Sequence, residues 1–350
     1  MTPPPRTHLP ALDGVRALAV LAVISFHTWE HALPGGWVGV DVFFVLSGYL
    51  ITSILLHEHG RTGAVSLGRF YLRRALRLLP ALGACIVMAV WLAALLRPEL
   101  GPSTNQEAVF SALYVGNWMI VTHELGGMLG HTWSLSIEEQ FYLVWPLLLC
   151  ALLALGGRRA LLAGTVGGAV LVVAHRLTTG GIVQLRTDTR ADTLLVGCAL
   201  AVLVSEGMFE RIPRWLVRAA GMAGIGCVVG IGARLGTSTM SGLGYTLSAI
   251  AAAAVLATLV SGSWPALSRA LSWRPLVAVG RRSYGVYLYH VPLYEAFVQI
   301  RHGSGPAALL LTVVLTLVVA WGSYRYLEAP FLRLKDRRTS GRRTAAAAAG

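Results

Sequence analysis

Long apolar runs alternate with short basic or polar breaks along the whole chain. Nine runs have the purity of membrane helices: 36–56, 76–96, 133–155, 160–175, 191–205, 218–235, 242–261, 283–300 and 305–325. A further run at 11–30 is less apolar, because it carries Asp13 and Arg16, but fits the pattern. A straight helix needs about 20 apolar residues to cross the ~30 Å hydrocarbon core. The shorter runs must therefore borrow polar neighbours at their ends or lie inside a bundle.

The stretch 107–121, EAVFSALYVGNWMIV, reads either way. The positive-inside rule decides it. If it does not span and the N-terminus is cytoplasmic, the clusters Arg69/Arg73/Arg74, Arg158/Arg159, Arg211/Arg214 and Arg269/Arg274/Arg281/Arg282 all fall inside. If it spans, every later loop flips and the last cluster lands outside. The expected fold class is thus an all-α polytopic membrane protein of about ten transmembrane helices, with N- and C-termini cytoplasmic. Segment 97–131 becomes an outer loop holding a partly buried or re-entrant helix. It is the longest loop, so any chemistry belongs to the bundle or its rims. The domain reading is one membrane domain, 1–335, followed by a basic, Ala-rich disordered tail, 336–350. No internal repeat is visible.

Composition sharpens this picture. Of 350 residues, 55% are hydrophobic and only 13% charged, about half the ~25% of soluble domains. Mean hydropathy is +0.64. A soluble enzyme, a secreted disulfide scaffold and a disordered chain are excluded. The net charge of +13 is carried almost wholly by Arg. Its placement between apolar runs speaks for topology rather than nucleic-acid binding. Cys85, Cys150, Cys198 and Cys227 lie inside apolar runs without metal-like spacing, and no metal site is expected.

Charged side chains inside a span cost about 2.5–3.5 kcal/mol on insertion scales, so each is a functional candidate. Arg16 and His27 are eleven residues apart, just over three turns, and share one helix face. Asp41 enters a strongly apolar run, where it suits either an Arg partner or a role in orienting a catalytic His. Arg73, Arg74 and Arg77 cluster at the inner surface, where positive-inside anchoring and phosphate binding both account for them. Glu138 and Glu139 open a span, so at least one points inward, and Trp133 stands at the membrane interface. Arg186, Asp188, Arg190 and Asp192 alternate in sign, as a salt-bridge network or as a polar wall of a substrate cavity. Tyr287 and His290 lie three apart in a later span. Arg325 and Glu328 read as a local ion pair.

Seven segments in order, LDGVRALAVLAVISFH, GVDVFFVLSGYLIT, FYLRRALRLLP, HTWSLSIEEQFYLVWP, RTDTRADTLLVGCALA, SYGVYLYHVPL and YLEAPF, resemble the acyltransferase 3 family of integral membrane acyltransferases. The resemblance runs from residue 12 to about 332. It implies ten membrane helices and transfer of an acetyl or short acyl group from cytosolic acyl-CoA to a hydroxyl of a carbohydrate or macrolide-type acceptor, in the bacterial cytoplasmic membrane. It also implies that His27 is essential, that Arg16, Arg74 and Arg77 with neighbouring Arg73 belong to the donor side, and that Glu138 is functional.

The chemistry asks for a base on the attacking hydroxyl, and a neutral His suits it near pH 7. The expected catalytic set is His27 with Glu138 or Asp41 orienting the imidazole. Arg16, Arg73, Arg74 and Arg77 are expected on acyl-CoA, with Arg281 and Arg282 as further candidates for its phosphates, and Trp133, Arg186, Asp188, Arg190, Tyr287 and His290 on the acceptor. The competing reading is a transporter or exporter, since intramembrane Arg, His and Glu also mark substrate pathways.

Overall fold

The structure is a computed structural model, and it describes residues 9–122, 126–180, 183–234, 242–298 and 303–331. The expected tail 336–350 lies outside the described residues. Within them every regular element is helical.

The opening run folds as α1, Pro10–Thr28, with Pro at its first position, where a missing N–H costs nothing. Next come α2, Val38–Thr62, and α3, Leu67–Leu96. The stretch that composition left ambiguous does not form one rod. It divides into α4, Gly101–Ala112, and α5, Gly116–Thr122, broken at Tyr114, whose φ of 54° is left-handed. Thr104, Glu107, Ala108 and Ser111 form the buried face of α4, at the 3–4 residue spacing of one helix side.

Helix α6, Trp133–Thr178, has 46 residues but is two rods. Gly156 and Gly157 leave helical geometry, Gly157 at a φ of 62°. A Cβ at Gly164 would lie 2.7 Å from the Leu152 side chain. Twelve residues of straight helix would separate these positions by about 18 Å, so the chain turns back on itself. The halves match the two expected spans at 133–155 and 160–175.

The remaining helices are α7, Thr187–Ser205; the short α8, Met208–Arg211; α9, Arg214–Arg234; α10, Gly244–Val260; α11, Pro265–Leu271; α12, Arg274–Gly280; α13, Ser283–Leu293; and α14, Pro306–Ser323. Both α13 and α14 run on into a π-helical turn, Tyr294–Val298 and Tyr324–Glu328.

By length and hydropathy alone, six helical segments among the described residues could cross a membrane, and the α10–α11 pair, bent by 100°, makes a seventh if it counts as one span. Helix α7 misses this count because of its charges, yet two of those charges are paired inside the bundle. Arg190 holds Asp41 of α2, and Asp192 holds Arg176 of α6, with both pairs buried.

Helices α2 and α7 touch backbone to backbone. A Cβ at Gly48 would lie 2.0 Å from the Leu194 carbonyl oxygen, and one at Gly197 would lie 2.1 Å from that of Val45. Only glycine permits such an approach. The outer surface of α3 is apolar and exposed at Leu79, Val87, Trp91 and Leu95, as a lipid-facing helix requires.

Candidate active site

His27 occupies the last turn of α1. Its Nδ1 is 2.9 Å from the Val23 carbonyl one turn back. Only a protonated nitrogen can bond a carbonyl, so Nδ1 carries the hydrogen and Nε2 keeps a free lone pair. The His290 ring stands edge-on to it, with centroids 5.0 Å apart. Nδ1 of His290 donates to the Tyr287 carbonyl at 2.5 Å, so its Nε2 is the acceptor facing Nδ1–H of His27 at 3.4 Å.

A third imidazole, His131, lies edge-on to His290 at 5.1 Å and donates from Nε2 to the Leu288 carbonyl at 3.0 Å. The Tyr287 hydroxyl donates to the His131 carbonyl at 2.9 Å and lies 2.6 Å from Ser134 Oγ. His131 and His290 are buried, whereas His27 is an exposed residue. The cluster thus offers one nitrogen lone pair on an exposed residue, backed by two enclosed rings.

The connection between α3 and α6 holds this cluster in place. Glu107 of α4 accepts the backbone N–H groups of Gly127 at 2.9 Å and Leu129 at 2.7 Å, and Thr104 accepts that of Met128 at 3.1 Å. These bonds fix the segment that delivers His131. Burial raises the Glu107 carboxyl above its usual range, and the backbone donors oppose the rise.

A charged layer lies deeper along α1. Arg16 pairs with Asp13 at 3.2 Å. Arg74 grips Glu139 through Nε at 3.0 Å and Nη2 at 2.7 Å, and its guanidinium lies 3.4 Å above the Tyr142 ring. Glu138 accepts from Ser47 Oγ at 2.7 Å. Arg77 is within electrostatic reach of Arg16, Arg74, Tyr142 and Glu328, on four different helices, yet its side chain is exposed. Arg73 faces Glu58 at 3.6 Å, and Arg69 holds the same carboxylate at 3.1 Å.

The structure brings His27, His290 and Tyr287 together. It does not set either expected carboxylate against His27. Glu138 is bonded to Ser47, and Asp41 is bonded to Arg190 and Ser248 in a fully buried knot. The ring of Tyr245 closes that knot, 3.9 Å from the Arg190 guanidinium. The alternating run also divides. Arg186 and Asp188 pair with each other at 2.6 Å on the rim, where Asp188 also meets His175 at 3.0 Å. Trp133, half-buried, stands edge-on to Phe44. The expected Arg325–Glu328 pair does not form among the described residues. Arg325 instead lies over Trp321 and Tyr326, and Glu328 accepts from Ser323.

Sequence reasoning missed His131, Ser47, Ser134, Arg176 and Tyr245. His131 alone had a usable signal, as an ionisable residue directly before the apolar run that starts at Trp133.

Comparison with known proteins identifies the family. A family model described as an acyltransferase domain matches residues 9–325. The peptidoglycan O-acetyltransferase OatA of Listeria monocytogenes is 36% identical over 355 residues, covering 93% of this chain and 56% of its own length. The putative peptidoglycan O-acetyltransferase YrhL of Bacillus subtilis is 35% identical, covering 96% and 56%, and the O-acetyltransferase OatA of Staphylococcus aureus is 33% identical, covering 92% and 57%. The chain thus spans about half the length of these curated relatives. No solved structure matches it. With a family model over nearly its whole length and relatives named as bacterial O-acetyltransferases, this multi-pass membrane protein belongs to the acyltransferase 3 family.

Proposed function

We propose that the protein moves an acetyl or short acyl group from cytosolic acyl-CoA to a hydroxyl of a carbohydrate acceptor. The observation that carries this reading is the exposed His27, whose Nδ1–H is committed to the Val23 carbonyl so that Nε2 keeps its lone pair. In the reaction the acceptor hydroxyl oxygen bonds to the thioester carbonyl carbon while its proton passes to Nε2 of His27. The tetrahedral intermediate then breaks its C–S bond, and the departing sulfur takes that proton, leaving an ester and free CoA thiol. The Val23 carbonyl, with His290 Nε2 beside it, holds Nδ1–H of His27, so that Nε2 stays the basic nitrogen. Arg16 and Arg77 line the route of the thioester arm. Glu138 fixes Ser47 and balances the Arg16 and Arg74 charges. Asp41 keeps Arg190 in place behind the site. Tyr287, Trp133 and the rim residues Arg186 and Asp188 flank the acceptor's approach from the outer side.

The membrane arrangement belongs to the same proposal. Counting α1, α2, α3, both rods of α6, α7, α9, α10, α13 with its π turn, and α14 gives ten spans, with both termini cytoplasmic. The names of the relatives favour a cell-wall sugar as acceptor.

The test is acyl transfer by purified protein in nanodiscs. Wild type should release CoA from acetyl-CoA only when a hydroxylated glycan is supplied, which a transporter would not do. His27→Ala should lower turnover about 10²–10⁴-fold, the usual contribution of a general base, and still bind CoA. Normal turnover in His27→Ala would overturn the assignment.

A further inference from the structure

A cavity of about 520 Å³ opens where α1 begins, at the far end of that helix from His27. Pro10, Arg274, Val277, Arg281, Arg282 and Tyr324 line it. Three guanidiniums therefore face one hollow. Arg281 reaches Asp13 at 3.5 Å, a carboxylate it shares with Arg16. Among the described residues, no carboxylate lies within ion-pair distance of Arg274 or Arg282. The Arg282 guanidinium lies 5.1 Å from the centroid of the half-buried Tyr324 ring, and its Nε is buried without a hydrogen-bond partner. The positive end of α1 adds to the field. A pocket with this surplus of positive charge and an aromatic wall suits a phosphate-bearing group joined to a flat ring.

The arginines of α3 are less suited to that task. Arg69 and Arg73 share Glu58, and Arg74 is held twice over by Glu139 and stacked on Tyr142. Glu328 is within electrostatic reach of both Arg282 at the pocket and Arg77 of α3. From Pro10 to His27 is seventeen residues of α1, or about 26 Å. A ligand anchored at one end and reacting toward the other must carry its reactive group on a long arm.

We infer that the cavity lined by Arg274, Arg281 and Arg282 holds the nucleotide-phosphate end of the acyl donor. This inference rests on the acyl-CoA reading above and names its anchoring site. The phosphates bind Arg274, Arg281 and Arg282, the base lies against Tyr324, and the thioester arm runs past Arg16 and Arg77. An anionic lipid headgroup offers the same phosphate chemistry, so the test must separate the two sources.

The experiment measures CoA and adenosine 3′,5′-bisphosphate binding to the full chain in nanodiscs of neutral phosphatidylcholine, and again with phosphatidylglycerol added. Arg274→Ala and Arg282→Gln are compared with wild type. Each should weaken both ligands about tenfold or more, as loss of a charge-assisted phosphate contact does. In turnover, the penalty should appear in KM for acetyl-CoA and vanish for acetyl-pantetheine, which has no phosphates to lose. Turnover of acetyl-pantetheine also shows that the variants are folded. Variants that bind CoA as tightly as wild type overturn the inference and leave the acyl-CoA reading standing. An effect of the variants on phosphatidylglycerol retention alone assigns the pocket to lipid and likewise overturns it. Wild type that binds no CoA and releases none refutes the acyl-CoA reading itself.

Discussion

The buried pair of Asp41 and Arg190 allows a structural role to be separated from a chemical one. Asp41 is 0% exposed and Arg190 is 1% exposed. The carboxylate is shared by Arg190 and Ser248, and the guanidinium otherwise faces the rings of Tyr245 and Phe44. Asp41→Leu leaves that cation with aromatic faces but no anion. Breaking a buried pair in this way costs about 3–5 kcal/mol. A cation over a desolvated ring recovers ~2 kcal/mol at best, and Arg190 already has that contact, so nothing new offsets the loss. Replacing both partners with apolar residues of similar volume is close to neutral. Thermal unfolding of purified protein in nanodiscs, followed by tryptophan fluorescence, should therefore rank wild type and the Asp41→Leu, Arg190→Met double variant close together, with Asp41→Leu well below both. A single variant that loses less than about 1 kcal/mol, or a double variant no better than the single, refutes the structural account. Recovered folding without recovered acyl transfer would return Asp41 or Arg190 to the reaction itself.

Other expectations follow from the same geometry. His290→Phe removes the acceptor facing Nδ1–H of His27; loss of one weak hydrogen bond, about 0.5–1.5 kcal/mol, should lower kcat up to about tenfold with KM for acyl-CoA unchanged, while His290→Gln, which keeps an acceptor, should retain more activity. Gly197→Ala places a Cβ 2.1 Å from the Val45 carbonyl and should lower the melting temperature by several degrees, whereas Gly226→Ala, with nothing within 4 Å, should leave it unchanged or slightly raised. Glu107→Gln tests the loop tether by pH. The folded carboxyl is raised above its unfolded value, so its favourable contribution is complete below about pH 4.3 and is lost as pH rises through the folded value. The melting temperature of Glu107→Gln minus that of wild type should therefore grow more positive with rising pH; a flat difference would show that folding leaves the Glu107 carboxyl unshifted and would refute the effect of burial.

Much of the layout was legible because lipid imposes strict rules. Backbone groups in hydrocarbon must be satisfied within helices, so apolar runs and arginine placement located the rods and kept 107–121 from being one of them. His27 and the Tyr287–His290 pair could be picked out because ionisable groups stand out against an apolar background. Partners were not legible. Asp41 meets Arg190 across 149 residues, and Glu138 meets Ser47 across 91. Such pairings depend on which helix faces meet, and a single sequence with only local periodicity does not encode that openly. Orientation of His27 by a carboxylate was an expectation borrowed from acid–histidine pairs; here the space against Nδ1 is filled by a carbonyl and a second imidazole. The α7 charges reduced its apparent hydropathy because a composition count cannot see that Asp192 is neutralised by Arg176.

The glycine contacts between α2 and α7 bear on which helices can shift. Two backbones pressed together at Gly48 and Gly197 leave no slack for sliding or parting. These helices act as a keel. Helices α3 and α13, by contrast, meet through side chains such as Tyr284 and Tyr289, which can swing without tearing a main-chain seam.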